Sequence, residues 1–214
     1  MRCTVIGAGV CGLSCAVRLL EAGWAVEIVA EKFSPETTSD RAAAVWYPFL
    51  VAPADRAKVW AMASYSVFSE LSASEPEAGV IMRTGREYLR ENMESPDWHT
   101  AITRFRLLGP GELPDEYVHG WEFEVPVVEM PRYMAWLRAR CESLGGTLTQ
   151  RRLESFDDVE GDALVELQLA QFLFSKSALW PRIVKCSDQG TGINGLSTRV
   201  ETDTTRNLKL QDTR

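Results

Sequence analysis

Apolar and polar positions change period several times along the chain, and the first change comes at its start. Cys3 to Ile6 is a short apolar run with β-branched members, which predicts a buried strand. After Gly7-Ala8-Gly9-Val10-Cys11-Gly12, apolar residues return at helical spacing as Leu13, Ala16, Val17 and Leu20, and Gly23 marks the helix end. A second apolar run, Val26 to Ala30, predicts another strand and stops at Glu31. Further on, Asp55 to Leu71 predicts a helix whose apolar face is Val59, Met62, Ala63, Ser66, Val67 and Leu71.

The middle of the chain turns to strand periods. Gly79 to Leu89 predicts one or two strands with a turn near Gly85. Glu91 to Thr100 is polar, carries Pro96 and predicts a loop; Ile102 to Leu108 fits neither period cleanly, and Gly109-Pro110-Gly111 breaks the chain. His119 to Val128 alternates, with Trp121, Phe123 and Val125 on one buried face, and either ends near Pro126 or continues past it as an edge strand. Pro131 suits the first turn of a helix over Arg132 to Leu144, which Gly145-Gly146 terminates. Thr147 to Gln150, Arg152 to Phe156 and Ala163 to Val165 predict short strands. Glu166 to Phe174 is apolar-rich, and Cys186 to Arg214 is a Gly, Ser, Thr, Asn and Asp-rich stretch that predicts disorder or loose packing. The fold class expected is α/β with a β-rich segment of about residues 75–128 inserted.

Composition narrows the class further. The 214 residues carry a formal net charge of −7, with a pI near 5.0, which argues against nucleic acid or an anionic membrane as a main partner. No stretch is long and apolar enough to span a bilayer, and Met1-Arg2 leads straight into the first strand rather than into a signal peptide. Five cysteines with no C-x-x-C pair indicate neither a disulfide framework nor a zinc site, and a reducing compartment is the expectation. His99 and His119 have no metal-ligand spacing and no neighbouring nucleophile. No metal site is expected, and no catalytic residue is assigned.

The chemistry lies in the first turn. Strand, G-x-G-x-x-G, helix, strand and acid follow each other in the order that binds the ADP half of a dinucleotide. Gly7 lets the chain turn off the strand, Gly9 lets backbone approach a pyrophosphate, and Gly12 lets the helix pack close to the sheet. The helix N-terminus supplies free N–H groups and the positive end of its dipole, and the Glu31 carboxylate suits ribose hydroxyls. The hydroxyl-rich segment Lys32 to Asp40 and the alanine run after it predict a loop capped into a short helix, either a plain surface loop or a second ligand contact.

Together these stretches resemble the D-amino-acid oxidase family of FAD enzymes, which includes D-aspartate oxidases. The resemblance is carried by VIGAGVCGLS at Val5 to Ser14, AEKFSPETTSD at Ala30 to Asp40 and AAAVWYPF at Ala42 to Phe49. It continues through HGWEFEVPVVEMPRYMAWLRARCESLGG at His119 to Gly146 and RRLESFDDV at Arg151 to Val159. It implies a Rossmann-like FAD-binding domain with an inserted β-rich substrate lobe (α+β), the C-terminal part incomplete. The segments would be 1–74 for FAD, 75–128 for the substrate or interface lobe, a return to the FAD domain over 129–165, and an unmatched tail over 166–214.

The resemblance implies non-covalent FAD with its pyrophosphate on Gly7, Ala8, Gly9, Val10 and Gly12 and its ribose beside Ala30, Glu31 and Lys32. Thr37, Thr38 and Ser39 would face the pyrophosphate, and Ala43, Ala44 and Val45 would lie along the flavin ring, Ala44 standing where the family usually has glycine. The implied reaction oxidises a D-amino acid: its α-hydrogen leaves as hydride to the flavin, water hydrolyses the imino acid to a keto acid and ammonia, and oxygen yields hydrogen peroxide. D-amino acid and O2 are the implied partners, in a homodimer, with a cytoplasmic location or a peroxisomal one for a full-length eukaryotic relative; the chain ends Gln211-Asp212-Thr213-Arg214, not Ser-Lys-Leu.

The resemblance stops near Val165, as in a chain truncated or altered beyond that point. The family's second half supplies an arginine for the substrate carboxylate, and Arg182, Arg199, Arg206 and Arg214 have no context that assigns them to it. Two other readings follow: an inactive FAD-binding relative, or a glycine- or sarcosine-type amine oxidase. A half sheet with an open edge is expected to be marginally stable.

Overall fold

The structure, a computed structural model, describes residues 1–48, 53–155, 158–159, 163–166 and 206–210. In chain order come β1 (Arg2–Ile6), α1 (Val10–Glu21), β2 (Ala25–Ala30), the two-residue β3 (Ala44–Val45) and α2 (Ala54–Ser74). Then follow β4 (Val80–Leu89), β5 (Phe105–Leu107), β6 (His119–Val128), α3 (Met130–Ser143), β7 (Thr147–Gln150), β8 (Ala163–Glu166) and β9 (Arg206–Leu210). They divide into two units: Met1–Ala43 with the chain from Glu129 through β8, and Ala44–Val128 with β9. The apolar run beyond Glu166 to Phe174, Cys186, Arg182, Arg199 and Arg214 lie outside the described residues.

The first unit is a parallel sheet in the order β7-β2-β1-β8. Its order reverses at β1: the chain goes from β1 to β2 on one side and returns to β8 on the other. In open α/β sheets such a switch point leaves a crevice at the carboxyl ends of the strands. Cys3, Val5, Ile28 and Val29 are fully buried in the sheet, and α1 buries Leu13, Ala16, Val17 and Leu20. α3 packs on α1 through Met134, Leu137 and Cys141, whose thiol donates to the Leu13 carbonyl at 3.6 Å. Of Arg152 to Phe156, expected to be strand, the described Arg152 to Ser155 is not: after β7 the Asp158 carboxylate accepts the Glu154 and Ser155 amides at 2.8 and 2.9 Å, which turns the chain instead.

The second unit is an antiparallel sheet, β3-β6-β4-β9, with β5 also on β6. β4 runs unbroken through Gly85, opposite Phe123, so the turn expected there is absent; ten consecutive pairings with β6 override one glycine. β6 is an interior strand, not an edge, and it passes through Pro126. In an antiparallel strand one residue's N and C=O point to the same side. The Pro126 carbonyl accepts the Trp46 amide at 2.8 Å, so its missing N–H faces the side of the short β3 and not the β4 ladder.

An aromatic core fills this unit: Trp46, Tyr65, Trp98, Trp121 and Phe123 with Leu89, Ile102 and Val125. Trp46 meets Tyr65 and Trp98 edge-on at 5.1 and 5.8 Å between ring centres. α2 presents Tyr65, Ala61 and Phe68 to the core, and the Trp46 indole donates to the Ala61 carbonyl and the Ser64 hydroxyl. The division between units therefore falls after Ala43, not after residue 74. The stripe expected to face inward does so only in part: Val59, Met62, Ala63 and Ser66 are exposed, as is Trp60, while Val67 and Leu71 are half-buried. α2 is apolar on two sides, and the side with Ala61, Tyr65 and Phe68 is the one packed on the aromatic core.

One carboxyl lies inside this core. Glu87 is 1% exposed and takes hydrogen bonds at Oε2 from the Trp121 indole (2.7 Å) and the Tyr47 hydroxyl. On the sheet surface, Arg106 grips Glu112 with two nitrogens at 2.8 Å and reaches Glu122 at 2.9 Å, while Arg86 binds Glu122 at 2.7 Å. The Arg106 guanidinium, with the Gly109 amide, holds the Glu112 carboxyl down at about 2, below its ordinary 4.5.

Two outcomes follow. Glu87→Leu strands the Trp121 N–H in an apolar core and lowers unfolding free energy by at least about 1–3 kcal/mol in urea titration. For Glu112, a depressed folded pKa means its stabilisation is complete above 4.5 and is lost as the pH falls through about 2. The stability gap between wild type and Glu112→Gln, followed by thermal melts, is widest near neutral pH and closes on acidification.

Candidate active site

The glycine turn sits at the carboxyl end of β1, where the sheet order reverses. Gly7 has φ of +103°, a conformation that favours glycine, and its amide donates to the Val29 carbonyl at 2.8 Å, which ties the turn to β2. Gly12 is required for a different reason: a Cβ there would stand 1.9 Å from the Gly7 carbonyl oxygen. α1 therefore crosses directly over the turn. Ala8 is buried beneath it, and Gly9 caps α1 with no side chain of its own to bond the helix amides.

The first intrahelical bond runs from the Leu13 amide to the Gly9 carbonyl at 3.0 Å. The Val10 amide is met by Ser39 Oγ at 3.0 Å, and helix geometry leaves Cys11 and Gly12 N–H with no acceptor inside α1. A Gly9 Cβ would lie 3.1 Å from Ser39 Oγ, so glycine holds this approach open. The Cys11 thiol is pushed up to about 11 by burial and by neighbouring Cys15, and it brings no negative charge to the anion-seeking end of the helix.

Along β2, Ala30 is buried, while Glu31 and Lys32 are exposed at the strand end. The Glu31 carbonyl accepts from Gln150 Nε2 at 3.1 Å, and its carboxylate lies 4.0 Å from the Arg152 guanidinium in solvent. The segment beyond is pinned to α3 by the Arg138 guanidinium, 5.6 Å from the centre of the Phe33 ring. Thr38–Arg41 forms one short 3-10 turn with Thr37 as its cap. The alanines after it do not extend the helix: Ala42 is extended and Ala44 enters β3, because β6 offers Val127 and Val128 as partners.

The three hydroxyls are not equivalent. Thr37 donates its hydroxyl to Asp40 Oδ2 at 2.5 Å, so that proton is spent within the segment. Ser39 Oγ accepts the Val10 amide and, among the described residues, keeps its own proton to donate, and the Thr38 side chain is exposed. Of the residues expected along a flavin ring, Ala43 ends the first unit, and Ala44 and Val45 are β3 of the second. The residue that sequence reasoning missed is Asp40. Its signal was the spacing Thr37-x-x-Asp40, a hydroxyl followed three residues later by an acid, as in a capping box.

A turn with two positions closed to side chains, an uncapped helix end and a free hydroxyl fits a diphosphate. An exposed carboxylate at the end of β2 fits the adjoining ribose.

The chain is similar to known proteins. The model of a family described as FAD dependent oxidoreductase matches residues 2–174, nine residues beyond where the resemblance noted above stops. A D-amino-acid oxidase of Rubrobacter xylanophilus is 38% identical over 183 residues, 85% of this chain and 53% of the relative. A D-aspartate oxidase of Homo sapiens is 34% identical over 163 residues, covering 72% and 48%. The chain spans about half the length of the curated relatives it matches. Among solved structures, iminodiacetate oxidase from Chelativorans sp. BNC1 shares the fold with a TM-score of 0.55 at 22% identity, over 78% of this chain and 54% of that one. Glycine oxidase from Geobacillus kaustophilus does so at 0.54 and 19%, over 70% and 46%.

Gly12→Ala tests the crossing. The added methyl meets backbone, which cannot move aside as a side chain could, so the loss exceeds the about 1–3 kcal/mol of ordinary overpacking. Gly111→Ala at an exposed turn, with nothing near its Cβ position and no left-handed φ, is the control for handling. Chemical denaturation of both variants gives the comparison.

Proposed function

The chain belongs to the FAD dependent oxidoreductase family, and on that premise we propose that it binds FAD non-covalently and serves the oxidative deamination of D-amino acids. The observation that carries the reading is the glycine turn under α1, together with the family match over residues 2–174 that includes it and the 38% identity to a D-amino-acid oxidase. Gly7, Gly9 and Gly12 make the space, the Cys11 and Gly12 amides with the Thr38 and Ser39 hydroxyls bind the diphosphate, and Glu31 takes ribose hydroxyls. Bound FAD supplies the two-electron acceptor for hydrogen removed from the substrate's α-carbon. The protein's share is orientation and exclusion of water, chemistry that calls for no histidine or cysteine nucleophile.

The first test is a visible spectrum of the purified chain after addition of FAD and removal of the excess. A retained, shifted flavin band is the expected result, and a colourless protein overturns the reading. Peroxide release with D-alanine and D-aspartate then separates oxidation from binding alone.

A further inference from the structure

Three donors converge on one carboxylate beside the glycine turn. Ser34 Oγ donates to Asp40 Oδ1 at 2.5 Å. Thr37 gives Oδ2 both its amide, at 3.0 Å, and its hydroxyl, at 2.5 Å. The Asp40 amide in turn donates to the Thr37 carbonyl at 3.2 Å, so the segment is closed on itself from both directions. Ser39 is the residue before Asp40, and its Oγ is the atom set on the Val10 amide at 3.0 Å. Where Ser39 points thus depends on a turn that Asp40 holds.

We propose that Asp40 is the positioning residue of the phosphate cradle. It fixes the segment 34–41 so that Ser39 Oγ sits on the Val10 N–H, with its own proton free to donate to a diphosphate oxygen. The proposal rests on the FAD reading above and deepens it. A carboxylate near a diphosphate is repulsive if it is free to face it; here both of its oxygens are held by donors of its own segment. Asp40 acts through Ser39 and touches no part of the cofactor.

The chemistry of the clamp says which replacements it tolerates. In Asp40→Asn the amide oxygen can accept both Thr37 donors, and the NH2 can donate to Ser34 Oγ, which reverses its role. Asp40→Leu has the bulk and none of the acceptors. Ser39→Ala removes the positioned hydroxyl and leaves the clamp.

The experiment is a titration of the full 214-residue chain with FAD and with ADP, by calorimetry, for wild type, D40N, D40L, S39A and the D40L/S39A double variant. D40L and S39A each weaken both ligands by about ten- to hundredfold, the scale of one lost hydrogen bond to a charged group. The double variant is no weaker than the worse single one, because the two residues act as one device. D40N stays within about threefold of wild type. D40L binding like wild type overturns the proposal, as does a double variant showing the product of the two single losses, or a loss for FAD that ADP does not share. A wild type that takes up no FAD overturns the FAD reading itself, which separates that failure from failure of the clamp.

Discussion

The site depends on a backbone crossing that leaves no room for a side chain. Gly12 passes so close to the Gly7 carbonyl that a Cβ would sit 1.9 Å from it, well inside any permitted contact. That contact fixes how α1 leaves the sheet, and so where its first amides point. It also sets the direction in which the helix dipole meets a ligand. The Gly7 amide bond to Val29 extends the same constraint to β2, whose end carries Glu31. The glycine turn and the end of β2 are thereby coupled through one short stretch of main chain.

Around this rigid centre the polar groups are arranged by local hydrogen bonds and not by burial. Ser34, Thr37 and Asp40 organise one another, and only Ser39 reaches across to α1. Short hydroxyl side chains lose little entropy when held, so a segment without a core of its own can still place donors accurately. The Arg138–Phe33 contact adds an anchor on α3. The second unit uses the opposite strategy: a dense aromatic core whose one buried carboxyl, Glu87, is matched to the indole N–H of Trp121 and the hydroxyl of Tyr47. A polar pair of that kind stabilises only in the geometry that satisfies it, and so it specifies how β4 and β6 are paired.

The family relation covers the first unit's turn and much of the chain, yet it reaches only about half the length of the relatives. Lineage and cofactor chemistry follow from the residues present. Turnover needs groups that hold a substrate, and the described residues assemble none that the geometry marks out as such. The open apolar stripe of α2, Val59, Met62 and Trp60, belongs to the same picture of a helix with two apolar faces and one partner surface.

The sequence by itself determined the features that depend on near neighbours. The strand, glycine turn, helix and strand of residues 2–30 were legible because periodicity and glycine positions are local signals. So were the α3 start at Pro131 and the alternation of Trp121, Phe123 and Val125. Tertiary structure decided what depends on partners distant in sequence. Gly85 remains in a strand because β6 pairs along its whole length, and Pro126 is interior because its missing donor faces the short β3. Ala44 joins a strand and not a helix for the same reason. α2 turned its other face inward because an aromatic cluster drawn from five segments outweighs one helix's apolar stripe. At the site, the motif identified the glycine turn, but only the folded chain showed that Thr37 spends its proton on Asp40 while Ser39 Oγ accepts the Val10 amide. Hydroxyl direction is set by partners in space, and residue type alone does not encode it.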